Sequence, residues 1–244
     1  MFENTHAYEY RIDSSPLLVM SPHSGRDYQA RFFKNVALNI DDLRNTEDFY
    51  IDLLFRPLKH KFNYLNAIFP RIFVDPNRSP LEIDVTMWEK SNFESIFNNN
   101  SSRVKNGIGV FAKYNLFGEY IYSRKIPFSE AKWRLLKFYF PYHKKIKEIL
   151  KITKTKYGKI IALDCHSMSS GIVNNNIDIV ISNRDNTSSS KEILNLLKKS
   201  FQNYNYSINL NDPFKGGFIT SYYGRPKNNI HFLQIEINKK LYMN

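Results

Sequence analysis

The apolar residues of this chain gather in short runs that end abruptly in polar loops, and two of these runs stand just before His23 and His166. A short apolar run bounded by polar residues is typical of a buried strand, which we expect over residues 160–164. Side chains alternate along a strand, so Asp164 and His166 should share one face and Cys165 the other. Since ligands collect at the carboxyl ends of strands in open α/β sheets, the two histidines indicate a metal site.

Helical spacing of apolar residues predicts two helices in the first two-thirds of the chain. One falls within residues 41–60. A longer one is expected from Ser129, a suitable N-cap, to about Tyr157, with a kink or break at Pro141 and an end at Gly158.

The C-terminal part predicts an amphipathic helix over residues 188–202 and a core strand over residues 230–237. Helices that alternate with apolar strands are typical of an α/β domain with a mixed sheet. Glu236 lies within the apolar strand. An ionised carboxylate costs several kcal/mol there without a partner, so we expect Glu236 to be paired, near a metal, or catalytic.

Length and composition indicate one domain over residues 1–244, with a polar surface excursion at about 85–127 that ends in a hairpin pattern. No apolar stretch approaches the ~20 residues that span a membrane, and no secretory signal pattern is seen. One cysteine excludes an internal disulfide and a cysteine-rich zinc site. We therefore expect a soluble cytoplasmic protein without a membrane partner.

The net charge of +12 raises the question of nucleic-acid binding. The lysines are scattered, however, and the densest cluster, at residues 144–156, is interpreted as the solvated face of a helix. No zinc-finger spacing, RNA-binding aromatic signature or phosphate loop accompanies it, so the sequence predicts no nucleic-acid partner. It indicates no particular oligomeric state.

Six segments, taken in order, resemble the N-formylglutamate amidohydrolase family and, through it, zinc carboxypeptidases and aspartoacylase-type deacylases. They are "SPHSG" (21–25), "TEDFYIDLLF" (46–55), "PRIFVDPNRSP" (70–80), "PYHKKI" (141–146), "LDCHSM" (163–168) and "NDPFKGGFITSYYGRPKNNIHFLQIEINKKLYM" (211–243). The resemblance implies a zinc-carboxypeptidase-like fold, a mixed sheet of about eight strands between helices with one Zn²⁺ at the strand ends. It also implies hydrolysis of a linear amide in a small anionic N-acyl amino acid. N-formyl-L-glutamate, cleaved to formate and L-glutamate in histidine breakdown, is the preferred substrate.

The same resemblance implies three metal ligands. His23 and His166 supply two nitrogens, and Asp48, which precedes an aromatic residue as in the family, is preferred as the third ligand. The carboxypeptidase group has a glutamate three residues after its first histidine, but here that position is Arg26, which does not bind metals. The alternatives for the third ligand are Glu47, which shares the acid-rich predicted helix with Asp48, and Asp27.

Further roles follow from the resemblance. Asp75 would hydrogen-bond the first zinc-binding histidine, and Glu236 would act as the general base. Arg71 would stabilise the developing oxyanion, whereas Asn77 and Arg78 would bind the free carboxylate of the substrate.

Two glycines and Asp164 complete the expected site. Asp164 should support the metal ligand His166 from its own strand face, and Gly216 and Gly217 should form a pocket wall that brings backbone close to the substrate. Two alternatives stay open: an enzyme for another N-acyl amino acid or a peptide's carboxyl end, and a non-catalytic binding protein of the same fold. Candidates for every catalytic role are present, which favours an enzyme.

Overall fold

The computed structural model describes residues 3–4, 7–58, 60–89, 97, 100–173 and 176–243, and a mixed β-sheet runs through these residues. The strands are β1 (Glu3–Asn4), β2 (Tyr8–Arg11), β3 (Leu17–Ser21), β4 (Asn63–Ala67), β5 (Ile160–Met168), β6 (Ile179–Ser182), β7 (Ile208–Leu210) and β8 (Ile230–Asn238). The helices are α1 (Ala30–Phe33), α2 (Ile40–Arg44), α3 (Ile51–Phe55), α4 (Ser102–Lys105), α5 (Phe128–Arg134), α6 (Phe140–Tyr157), α7 (Lys191–Gln202) and α8 (Phe218–Tyr223).

The eight strands that the structure describes form one sheet in the order β1-β2-β4-β3-β5-β8-β6-β7. Its centre, β4-β3-β5-β8, is parallel, while β2 and β6 pair antiparallel with β4 and β8. The predicted α/β class with a mixed sheet is confirmed. The parallel centre brings the carboxyl ends of β3, β5 and β8 to one edge, which is where α/β folds bind ligands.

Two apolar clusters cover the two faces of the sheet. Ile160 and Ala162 belong to the larger cluster, which includes α6, and Cys165 belongs to the smaller one with α7. Because side chains alternate along β5, Asp164 and His166 continue the face of Ile160 and Ala162. The predicted division of Asp164 and His166 from Cys165 is therefore confirmed.

The long helix predicted from Ser129 differs from the structure in its start and its middle. Helix α5 begins at Phe128, and a π-helical turn, Leu135–Tyr139, separates it from α6. Pro141 is the second residue of α6. Proline lacks an N–H group and its ring would clash with the carbonyl four residues earlier, so the widened turn absorbs the proline instead of breaking the helix. The end at Gly158 is confirmed, with a left-handed φ of 66°.

The prediction of one helix within residues 41–60 was wrong. The chain forms the short helices α2 and α3, and Glu47 and Asp48 lie in the loop between them. The N–H of Asp48 bonds to the carbonyl of His23 at 3.1 Å, so this loop is tied to the end of β3 and is not helical. Tyr50, with a left-handed φ of 63°, then starts α3.

The prediction that the lysines of α6 form a solvated face was also partly wrong, because Lys145 is buried. Its ammonium bonds Glu148 at 2.9 Å and lies 3.9 Å from the ring centre of Tyr10. Among the described residues, no helix has the length and apolar character needed to cross a membrane.

The excursion is only partly described, and part of its polar tract, residues 90–96 and 98–99, lies outside the described residues. The hairpin pattern is present as an antiparallel bridge between Tyr114 and Tyr120. Val110 and Phe111 are buried, so this part of the excursion packs into the core and does not lie only on the surface.

Candidate metal centre and active site

Two histidines and one aspartate converge at the carboxyl edge of the parallel strands. His23 follows β3, His166 lies in β5, and Asp48 lies in the loop between α2 and α3; one ligand atom from each lies within 4.8 Å of the other two. All three residues are buried, and the imidazole ring centres are 4.6 Å apart. Among the described residues, this is the grouping that suits a metal ion, and it contains the three residues that the sequence proposed as ligands.

The hydrogen bonds of His23 leave one ring nitrogen available to a cation. Its Nε2 lies 2.7 Å from Oδ1 of Asp75, and since a carboxylate accepts, Nε2 carries the proton and donates it. Nδ1 therefore carries a lone pair. This atom is buried, has no hydrogen-bond partner among the described residues, and lies 3.5 Å from Oδ2 of Asp48. An unpaired buried acceptor facing a carboxylate fits a bound cation.

His166 lies between two carboxylates. Its Nδ1 is 2.9 Å from Oδ2 of Asp48, and its Nε2 is 3.2 Å from Oδ1 of Asp164. Burial alone would lower the pKa of His166, but Asp164 and Asp48 outweigh burial and raise it well above its ordinary value. This environment favours positive charge, which a proton or a metal ion supplies.

The backbone fixes Asp48 in the cluster. In addition to the bond from its N–H to His23, its carbonyl accepts a hydrogen bond from Ser24 Oγ at 2.8 Å. Burial raises the pKa of the Asp48 carboxyl, but the neighbouring imidazoles of His166 and His23 more than compensate and lower it. The alternative ligands Glu47 and Asp27 are not part of this group. Glu47 accepts a bond from Tyr28 Oη at 2.9 Å, and Asp27 is exposed and bonds Gln29.

Glu236 is placed beside this cluster by strand register. It lies opposite His166 in the pairing of β8 with β5 and is 7% exposed. The Nε2 of Gln234 donates a hydrogen bond to the Oε1 of Glu236 at 2.7 Å. Burial raises the pKa of Glu236 to about 8, so this carboxyl exchanges its proton near neutral pH.

Asp75 joins the metal cluster to two arginines. Its Oδ2 accepts from Nη2 of Arg71 at 2.9 Å and lies 4.0 Å from Nε of Arg78, while its Oδ1 accepts from the Asn77 N–H at 2.7 Å. Burial raises the pKa of Asp75, but His23, Arg71 and Arg78 together hold it well below its ordinary value. The carboxylate is therefore charged, and it orients His23 and both arginines.

A cavity of about 580 Å³ opens over the cluster, and all the predicted metal-binding, catalytic and substrate-binding residues line it. The two outer carboxylates, Asp75 and Asp164, lie behind the histidines.

Asn77 and Gly217 are in close contact at the cavity wall. The Asn77 Oδ1 accepts from the Ile219 N–H at 2.8 Å, and its Nδ2 is 3.3 Å from Oδ2 of Asp164, so its amide is engaged within the protein. A Cβ on Gly217 would lie 2.4 Å from Oδ1 of Asn77. The glycine is therefore required by the close approach of Asn77.

Several polar cavity residues were missed by the sequence reasoning, among them Gln234, Arg103 and Arg184. Gln234 carried a signal, since it precedes Glu236 by two positions on the same strand face, and it also accepts the Gly217 N–H at 2.7 Å. Arg103 and Arg184 carried none, because tertiary packing alone brings Arg103 to the cavity from α4 and Arg184 from the turn after β6.

The mixed sheet, the buried two-histidine, one-aspartate cluster and the adjacent glutamate define a protein of the α/β class with a candidate metal centre. A sequence model of the family described as N-formylglutamate amidohydrolase matches residues 15–243, and the chain belongs to this family. The resemblance seen in the sequence is confirmed.

Individual relatives agree with the family assignment. The N-formylglutamate deformylase of Pseudomonas aeruginosa is 30% identical over 123 residues, which are 48% of this chain and 46% of that protein. The chain thus matches less than half the length of this curated relative. A crystal structure of N-formylglutamate amidohydrolase from Ralstonia eutropha JMP134 superposes with a TM-score of 0.89 at 28% identity, covering 98% of this chain and 89% of that one.

A more distant structure supports the fold alone. The crystal structure of a gene product from Agrobacterium tumefaciens superposes with a TM-score of 0.69 at 16% identity, over 95% of this chain and 83% of that one.

Proposed function

We propose that this protein is a zinc-dependent amidohydrolase that converts N-formyl-L-glutamate and water to formate and L-glutamate. The observation that carries the proposal is the convergence of His23, Asp48 and His166 beside the buried Glu236 in one cavity. Membership of the family and the names of the relatives support the choice of substrate.

The donor set fits Zn²⁺. His23 and His166 would supply two imidazole nitrogens and Asp48 one carboxylate oxygen, a donor set typical of catalytic zinc sites. The unpaired Nδ1 of His23 supports a cation at this point. When bound, zinc supplies Lewis acidity, which polarises a carbonyl and makes water a better nucleophile at neutral pH.

The residues of the chain supply the proton transfer. Glu236, ionised, accepts a proton from the water that attacks the formyl carbon and then delivers a proton to the leaving nitrogen. Its pKa of about 8 suits both tasks near neutral pH. Arg71, a cation beside Asp75, stabilises the negative charge that develops on the carbonyl oxygen.

Arg78 is suited to bind one carboxylate of the substrate. It lines the cavity, its Nε donates to the Ile108 carbonyl at 3.1 Å, and its Nη1 donates to the Asn77 carbonyl at 3.0 Å. These bonds fix the guanidinium while leaving further N–H groups for a carboxylate.

The test is direct hydrolysis. Purified protein loaded with Zn²⁺ is incubated with N-formyl-L-glutamate, and formate and glutamate are quantified against a chelated sample. We expect stoichiometric release of both products that stops when the metal is removed. Turnover of N-acetyl amino acids or peptides without turnover of N-formyl-L-glutamate would contradict the substrate, and metal binding without turnover of any amide would support a non-catalytic binding protein.

A further inference from the structure

The turn that follows β6 has an unusual backbone. Arg184, Asp185 and Asn186 have φ values of 54°, 54° and 70°, in the left-handed region that residues with a Cβ seldom adopt. Three such residues in succession persist only where the surroundings hold them, and such backbone is concentrated at ligand-binding and active sites. The turn therefore calls for a functional explanation.

A buried amide network holds this turn against the neighbouring loop. Asn183 is fully buried; its Oδ1 accepts the Asn186 N–H at 3.1 Å, and its Nδ2 donates to the Asn186 Oδ1 at 3.0 Å. Asn211 donates from Nδ2 to the Asn183 Oδ1 at 3.1 Å. The Arg184 N–H bonds the Lys215 carbonyl at 3.1 Å, so the turn is fixed to the loop that forms one cavity wall.

Held by this network, the side chain of Arg184 lies at the cavity wall. Its Nη1 donates to the Gly216 carbonyl at 3.0 Å, and a Cβ on Gly216 would approach its Cγ to 3.1 Å. A Cβ there would also lie 2.6 Å from Thr220 Oγ1, so the glycine leaves room for both side chains, and Arg184 lies half-buried along the wall. The contact uses one of the five guanidinium N–H groups.

Arg184 differs from the other cavity arginines in its partners. Arg71 bonds Asp75 at 2.9 Å, and Arg103 pairs with Glu82 at 3.5 Å. Among the residues that the structure describes, no carboxylate lies within ion-pair distance of Arg184. A half-buried guanidinium without a carboxylate has the chemistry to receive one from a ligand.

We infer that Arg184 binds the side-chain carboxylate of the substrate and so makes the enzyme select dicarboxylic N-acyl amino acids. The inference rests on the proposed function, in which Arg78 binds the α-carboxylate. It assigns a specificity role to a turn that the family resemblance left without one.

The experiment compares Arg184→Gln with the wild type on N-formyl-L-glutamate, on N-formyl-L-glutamine, which lacks the side-chain charge, and on the α-amide of N-formyl-L-glutamate. We expect kcat/KM on N-formyl-L-glutamate to fall about 100-fold, since a charge-assisted bond is lost, while kcat/KM on N-formyl-L-glutamine changes less than about threefold. Arg184→Lys should recover part of the preference.

Two control variants make the result specific. Arg225→Gln removes the same charge from an exposed arginine that also donates to backbone, to the Ser221 carbonyl at 3.2 Å, and it should retain the wild-type preference. Lys239→Gln removes another cavity cation, which donates to the Glu47 carbonyl at 3.3 Å. Loss of the preference in Lys239→Gln and not in Arg184→Gln would overturn the inference. It would also be overturned if Arg184→Gln lost equal activity on N-formyl-L-glutamate and N-formyl-L-glutamine, or if Arg184→Gln discriminated only against the α-amide.

Calorimetric binding of L-glutamate and L-glutamine separates this inference from the proposed function. If wild-type protein does not hydrolyse N-formyl-L-glutamate, the proposed function fails. A preference for L-glutamate that disappears in Arg184→Gln still supports the carboxylate site, whereas equal binding of both amino acids by the wild type refutes it.

Discussion

His166 and Glu236 occupy paired register positions on the adjacent parallel strands β5 and β8. The sheet therefore sets the separation between a candidate metal ligand and the candidate base, with no flexible loop between them. Sites built on rigid elements hold their geometry better than sites on loops, and proton transfer depends on that geometry.

Glu236→Gln should abolish turnover while metal content and fold are retained. Glutamine has the shape of glutamate but cannot accept the proton, so we expect kcat to fall about 100- to 10,000-fold. Steady-state kinetics, metal analysis and thermal unfolding measure the three quantities. Glu148→Gln, an exposed acid on α6, is the control and should keep the wild-type kcat; a Glu236→Gln variant with near-normal kcat would remove Glu236 as the base.

Zn²⁺ should stabilise the wild-type protein and not Asp48→Asn. A ligand at a hundredfold excess over its Kd adds about 2.7 kcal/mol to the free energy of unfolding, or roughly 5–10 °C in Tm for a chain of this size. Asp48→Asn loses a charged ligand, so its Tm should not rise when zinc is added after chelation. Asp27→Asn changes an exposed acid and should keep the shift; an equal shift in Asp48→Asn would place the metal elsewhere.

His143 should make the protein less stable in mild acid. Its Nε2 donates to the Pro76 carbonyl at 2.9 Å, its Nδ1 lies 2.8 Å from Tyr223 Oη, and burial lowers its pKa from 6.5 to about 4. The unfolded chain gains a proton on this imidazole as pH falls through about 6.5. The folded protein gains it only near pH 4, so the free energy of unfolding falls between these values by ~3 kcal/mol.

Urea unfolding of metal-free protein between pH 7.5 and pH 4 measures this effect. His143→Gln has no proton to gain, so it should be less stable than the wild type at pH 7.5 because it loses buried hydrogen bonds, but its stability should fall less steeply as the pH is lowered. Parallel pH curves for the two proteins would show that the imidazole does not contribute.

Gly217→Ala should destabilise the protein and disturb the site. The new methyl group would lie 2.4 Å from the Asn77 Oδ1, and Asn77 holds Ile219 and contacts Asp164. Overpacking of this kind costs about 1–3 kcal/mol of unfolding free energy. Chemical denaturation measures it. Gly171→Ala, where a Cβ meets nothing within 4 Å, should change stability by less than about 0.5 kcal/mol.

The parts that were predictable from sequence are those with local signals. The apolar runs before His23 and His166 gave the strands, the strand alternation placed Asp164 with His166, and the Gly158 cap ended α6 as expected. Each depends on neighbouring residues, so pattern and propensity were enough.

The parts that local patterns could not predict depend on contacts between distant segments. Asp48 was preferred to Glu47 through the family resemblance and not through a local pattern, because the hydrogen bond from the Asp48 N–H to the His23 carbonyl joins segments that are distant in the sequence. Arg103, in α4, and Arg184, in the turn after β6, reach the cavity through tertiary packing that no periodicity encodes. The π-helical turn before Pro141 likewise arises where tertiary packing keeps a helix continuous that propensity alone would end.

The excursion also contributes to the cavity, since Arg103 and Leu116 reach its wall from there while the metal cluster lies at the strand ends. The cavity wall and the metal cluster thus come partly from separate stretches of the polypeptide. Leu116 is an exposed residue of the excursion, so its exchange would alter the wall while His23 and His166 stay fixed at the strand ends.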